Sequence, residues 1–191
     1  TVPENREELS KVLEALTGYD RALWRYVADV RERLGLPAEL VREAYEMAAQ
    51  HEPNDSDVWQ AWSEFEKKQR QERRSMELLI RAAEADPKNI GLNSHAAWRI
   101  AHFLKLERVP VADRPIWTSA VQQNLEEQWD ALEPDPLARL GWLYYVNNDV
   151  ARAKECALRG LSMDSNHRHC LNILNRVREA EEEAETDSRH S

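Results

Sequence analysis

The chain has 191 residues, above the usual single-domain size of roughly 100–150 yet within reach of one elongated domain, long enough to bury about 70% of its unfolded surface. Its 35 acidic residues outweigh 26 basic ones, and the net charge of −9 opposes association with a polyphosphate or an anionic membrane, so non-specific nucleic-acid binding is not expected. Only 5 glycines occur, Ala, Leu, Glu, Arg and Gln dominate long stretches, and these are good helix formers, so the predicted class is all-α.

The longest apolar stretch free of charge, 140–146, is far short of the roughly 20 residues that span a bilayer. Neither a basic nor an apolar leader follows Thr1, and the chain is read as a segment of a longer protein. Cys156 and Cys170 fall inside helical patterns, where small apolar residues are wanted. That placement predicts reduced thiols and a cytoplasmic setting.

In chain order, 4–16 form a leading helix. Leu23, Trp24, Val27, Val30 and Leu34, then Leu40, Val41, Ala44, Tyr45 and Ala48, recur with the 3.6 period of amphipathic helices. Gly35, Leu36 and Pro37 between them predict a tight hairpin: Gly closes one helix in the left-handed conformation and Pro opens the next. After a break at 52–56, where Asn54, Asp55 or Ser56 caps the following helix, Trp59, Trp62 and Phe65 continue the stripe, with Trp24, Trp59 and Trp62 assigned to the core. The basic run 67–74 straddles a helix end and is read as a solvated turn. Beyond Pro87 the pattern is irregular, with Trp98, Phe103, Trp117 and Trp129 supplying bulk and a kink or loop expected at 106–114. Further breaks at 133–136, 147–149 and 164–166 bring the count to nine or ten helices. The last, 168–185, carries Cys170, Leu171, Ile173, Leu174 and Val177 on its apolar side, and 186–191 are expected to be disordered.

The local signatures of catalysis and metal binding are missing: no Gly-rich phosphate loop, no His-Glu-x-x-His, no Cys-x-x-Cys, no Gly-x-Ser-x-Gly. No enzymatic activity, cofactor or metal is expected within this segment. His167, His169 and Cys170 are too close in sequence to close a tetrahedral site alone. His95 and His102 are read as surface residues, and Asp55, Asp57 and Glu64 lack the Gly and final Glu of a calcium loop.

Internal repetition points to the architecture. Pro53 and Pro87 stand 34 residues apart, each closing a similar helix. Leu137, Leu140, Gly141, Tyr144, Ala153, Ala157 and Gly160 are spaced as in the tetratricopeptide repeat (TPR), and this stretch resembles that family, with Leu137, Ala157 and Ser165 as departures. Trp59, Trp62, Phe65 and Glu66 are more similar to the half-a-tetratricopeptide (HAT) variant. The likeness covers about 20–178 and is weakest at 90–134. It implies a right-handed α-solenoid of about four TPR-like hairpins with a C-terminal capping helix. The domain reading is a leading cap at 1–18, a repeat domain at 19–178, and an acidic helix end with disordered tail at 179–191.

The resemblance further implies a concave face that holds a peptide or partner helix, with Gln60, Glu64 and Lys67 in the second hairpin, Ala138, Arg139, Trp142 and Tyr145 in the strong repeat, and Asn172 and Arg176 in the following helix. This set departs from the Lys/Asn/Arg clamp by which some members hold a C-terminal carboxylate. The function it implies is a protein–protein interaction or scaffold segment of a larger intracellular protein. Alternatives are a sensor or regulatory arm of a multidomain signalling protein and an RNA-processing scaffold of the HAT type, and self-association through end repeats stays open.

Overall fold

The computed structural model describes residues 2–18 and 23–189. Among them are ten α-helices and no strand: α1 (Val2–Leu16), α2 (Trp24–Arg33), α3 (Ala38–His51), α4 (Ser56–Lys68), α5 (Glu72–Ala85), α6 (Ile90–Leu106), α7 (Pro115–Glu126), α8 (Pro134–Val146), α9 (Val150–Met163) and α10 (Arg168–Arg189). Single 3-10 turns at Val111–Asp113 and Trp129–Ala131 fill the irregular stretch on either side of α7. No described helix is long and apolar enough to cross a membrane. The chain divides into two compact units, residues 1–86 and 87–191, so a boundary at Asp86 falls inside the span 19–178 read from the sequence as one repeat domain.

One turn closes four helix pairs. Gly35 (φ 67°), Arg70 (59°), Arg108 (50°) and Asn148 (66°) all adopt the left-handed conformation just past a helix end. In each case the next residue's N–H reaches back five residues: Leu36 to Arg31 O, Gln71 to Glu66 O, Val109 to Leu104 O and Asp149 to Tyr144 O, at 2.9–3.1 Å. This satisfies carbonyls that a helix end would otherwise leave unpaired. Gly meets the conformation without strain. Arg70 and Arg108 adopt it at a cost of about 1–2 kcal/mol each. A second turn recurs after α3, α5 and α9, where Glu52, Asp86 and Asp164 leave the helix in a more extended conformation with their N–H still bonded to Ala48, Ala82 and Gly160. Asp55 and Asn89 then cap α4 and α6 through their side chains, and Asp149, just past the left-handed Asn148, caps α9 in the same way.

In the N-terminal unit α2 pairs with α3 and α4 with α5, and α3 also packs on α4. Val27, Ala28, Val41, Ala44, Tyr45, Val58 and Phe65 are buried between them, as are Trp24 and Trp62; Trp59 is partly buried against the same core. The Tyr45, Trp62 and Trp59 rings lie nearly parallel in sequence, with centroids 6.0 and 6.1 Å apart. Arg31 is 4% exposed and ties α1 to the pair: Nε donates to Ser10 Oγ (2.9 Å), one terminal nitrogen to Glu14 (2.9 Å) and the other to the Leu40 carbonyl (2.7 Å).

At the end of α4, Glu66 is fully buried. Both its oxygens accept from Arg42 (2.8 and 2.9 Å), the Trp62 indole N–H donates at 3.1 Å, and Arg74 stands 3.3 Å away. Burial alone pushes a carboxyl pKa up. Here the hydrogen bonds from Arg42 and Trp62 and the charges of Arg42 and Arg74 win, and the Glu66 carboxyl is held below its usual value.

In the C-terminal unit α6 packs on α7 and α8, α8 on α9 and α10, and α9 on α10. Gly141 and Gly160 are close-approach positions. A Cβ at 141 would sit 3.0 Å from Cys156 Cβ and 3.4 Å from the Ala153 carbonyl, so the small residues bring α8 and α9 together. Phe103 and Trp117 are buried in contact, centroids 5.0 Å apart, and Asn124 donates to the buried Asn93 at 2.8 Å, joining α6 to α7.

Trp98 differs from its expected place in the bulk of this unit: it is 49% exposed. Ala96, Ala97, Ile100 and Ala101 already supply the buried surface of α6, and Trp98 shares the outward arc with His95 and His102. Trp129 is half-buried under the Arg159 guanidinium, 5.0 Å from its centroid. The helix α10 runs to Arg189, so 186–189 are helical where disorder was expected; 190 and 191 lie outside the described residues. Lys154 holds Glu181 from α9 at 2.8 Å, and the Thr186 hydroxyl donates to the Glu183 carbonyl at 2.7 Å.

Candidate functional site

The side-by-side packing of α6, α8 and α10 leaves a groove of about 760 Å³ on the C-terminal unit. Positions 135, 138, 139 and 142 line it from α8, 95 and 98 from α6, and 169, 172, 173, 175, 176 and 179 from α10. Each set recurs at three or four residues, the spacing that places side chains on one helical face.

Two indoles give the groove its apolar surface. Trp142 stacks on Tyr145 (centroids 5.4 Å, interplanar angle 18°), and Lys105 Nζ lies 5.4 Å from the Trp142 centroid. Trp98 stacks on His102 at 6.1 Å and 10°, with His95 on its other side at 6.3 Å. Charges are interleaved with these rings. Arg176 pairs with Glu179 at 3.4 Å, and Asp135 accepts from His167 Nε2 at 3.1 Å. Arg139 is half-buried with no carboxylate partner among the described residues; its side-chain hydrogen bond is to the Ser94 hydroxyl, at 3.4 Å.

The groove therefore brings together Ala138, Arg139, Trp142, Asn172 and Arg176 of the positions singled out in the sequence. Tyr145 supports Trp142 by stacking rather than lining the groove. Gln60, Glu64 and Lys67 lie on α4 in the N-terminal unit, Lys67 paired with Glu64 at 3.6 Å. That unit has its own shallow cavity of about 570 Å³, between α3 and α5 over Trp59 and Trp62. Trp98, His95, Asp135, His169, Asn175 and Glu179 were missed as groove residues. Their signal was the matching three- and four-residue register on α6, α8 and α10, which becomes visible only once those three helices are known to be neighbours.

His167, Cys170 and Asp135 form a second cluster, with His167 Nδ1 3.2 Å from Cys170 Sγ and Nε2 3.1 Å from Asp135. The arrangement has the connectivity of a thiol nucleophile and its base, and it fails on two counts. Cys170 is fully buried, and burial together with Asp135 and Asp164 pushes its thiol pKa up to about 11, so it holds its proton at neutral pH. The role of His167 is structural: its Nδ1 accepts the Cys170 backbone N–H (3.4 Å), capping α10, while its Nε2 donates to Asp135 of α8. Cys156 is also fully buried, with its thiol raised to about 12 by burial first and by Glu155 second.

No protein-family model matches the sequence, and no curated protein is detectably similar to it.

Proposed function

We propose that the chain is a protein–protein interaction segment of TPR and HAT character, each unit a stack of helical hairpins in the right-handed α-solenoid manner, with α10 as the C-terminal cap. The groove over Trp98 and Trp142 takes a protein or peptide partner. What carries this is the convergence of two half-exposed indoles and a guanidinium with no carboxylate partner among the described residues, on the surface shared by α6, α8 and α10. Exposed Trp and Arg set around a concavity are the residue types that dominate binding energy at protein interfaces. The recurrence of one closing turn at Gly35, Arg70, Arg108 and Asn148 supports the repeat character.

The basic run favours a protein partner over RNA. Lys68 pairs with Glu32 at 2.7 Å, Lys67 with Glu64 at 3.6 Å, and Arg74 with Glu66 and Glu46 at 3.3 and 3.7 Å. A polyphosphate would have to displace these carboxylates.

Affinity capture from a lysate with the full chain and its Trp142→Ala/Arg139→Glu variant as baits tests the assignment. A protein retained by the wild type, insensitive to nuclease and lost with the variant at unchanged helical content, is the expected outcome. Equal retention by both baits would move the interface off this groove.

A further inference from the structure

Building on the proposed peptide-binding role of the groove, we infer the chemistry of its occupant: an extended segment whose single Asp or Glu carboxylate seats on Arg139 and whose neighbouring aromatic or aliphatic side chain lies against Trp98 and Trp142.

The charge inventory selects an anion. Arg139 is the groove cation left without a carboxylate, since Arg176 has Glu179 and Asp135 has His167. A guanidinium in a half-enclosed site gains most from a ligand carboxylate, which can accept two parallel hydrogen bonds. The same inventory selects a monoanion over a phosphate. With Arg176 held by Glu179, Arg139 is left to meet one negative charge; the second charge of a dianion would find no free guanidinium in the groove and would face the Asp135 carboxylate one turn before Arg139.

An extended backbone follows from α10. Asn172 and Asn175 are exposed and line the groove, and their side-chain amides have no hydrogen-bond partner among the described residues. Each offers a donor and an acceptor to a main chain whose own N–H and C=O groups are unpaired, as in an extended segment. A docking helix arrives with those groups already bonded to one another. The indoles supply the apolar contact, Trp98 at 49% exposure being the larger open ring surface.

Synthetic peptides in a Gly/Ser host, each with one Glu and one Leu, Phe or Trp at varied spacing, provide the probe, arrayed beside partners with Gln, Lys or phosphoserine in place of Glu. The full chain, fluorescently labelled, is applied as wild type, Arg139→Gln, Arg139→Glu and Trp142→Ala. The expected result is selective retention of Glu peptides, an affinity loss of about tenfold or more on Glu→Gln in the peptide or Arg139→Gln in the chain, and recovery when Arg139→Glu meets the Lys-for-Glu peptide. Binding that depends on Trp142 yet ignores the acid, or that prefers phosphoserine, overturns the inferred chemistry and leaves the groove a peptide site. Absence of any Trp142-dependent binding overturns both.

Discussion

Glu66→Gln is expected to destabilise the chain by about 3 kcal/mol near neutral pH, measured by urea denaturation followed by circular dichroism. Removing one partner of a buried ion pair costs about 3–5 kcal/mol because the other charge is left behind. The low end applies because Arg42 keeps 25% of its side chain exposed and Arg74 43%, so water compensates them in part. The pH dependence carries the sign of the effect. The folded-state pKa of Glu66 lies below its ordinary value, so its contribution is fully present above the unfolded-state pKa of about 4.5 and is lost as pH falls through the lower folded value. The stability gap between wild type and Glu66→Gln should therefore shrink in acid. A gap below about 0.5 kcal/mol at neutral pH, the scale of an ordinary surface substitution, would remove the Arg42, Arg74 and Trp62 cluster as a stabilising element.

The second large effect is expected at Gly160, in the last turn of α9. A Cβ there would stand 2.5 Å from Cys170 Sγ, closer than nonbonded carbon and sulfur approach, and 3.7 Å from Pro134 Cα. Helix propensity alone favours Gly→Ala by about 1 kcal/mol. Overpacking a filled site costs about 1–3 kcal/mol, and Cys170 is confined by His167 at 3.2 Å, so Gly160→Ala should be destabilising on balance. The clash is with one atom, which makes the test specific. In a Cys170→Ala background that sulfur is gone, the nearest remaining side-chain atom is a Cβ at 3.7 Å, and Gly160→Ala should become neutral or stabilising. If the two substitutions simply add, α9 and α10 do not meet there.

Local chemistry made much of the fold readable in advance. Gly35 before Pro37 marks a hairpin because few other residues adopt φ 67° at no cost, and Asp55 before Asp57 marks a cap because its carboxylate reaches that N–H at 2.9 Å. The Trp59, Trp62 and Phe65 stripe marks a buried face because it repeats at helical spacing. The equivalent turns at Arg70 and Arg108 were hidden: nothing in an arginine announces a left-handed conformation, and there the surrounding helices impose it. Glu66 was likewise read as part of a repeat signature, though its place four residues after Trp62 puts it on the buried face.

Within the candidate groove, Arg139, Trp142, Asn172 and Arg176 were singled out through the resemblance to the TPR groove, and the structure places them on one concave surface. Trp98 was not, because a large aromatic in an irregular stretch is ordinarily assigned to the core. Only the packing of Ala96, Ala97 and Ala101 shows that α6 is already buried without it. Gln60, Glu64 and Lys67 came from the same resemblance and lie in the other unit, since a repeat likeness marks a helix face without saying which helices share it.

The most direct test of a binding groove on α6, α8 and α10 is site-specific photo-crosslinking in lysate, with benzoylphenylalanine placed at Asn175 in the groove or at Ile116 on α7, which is 80% exposed. Adducts from position 175, absent from 116 and lost on adding Trp142→Ala, are the expected result. Adducts from 116 alone, or adducts from 175 that persist with Trp142→Ala, would contradict it.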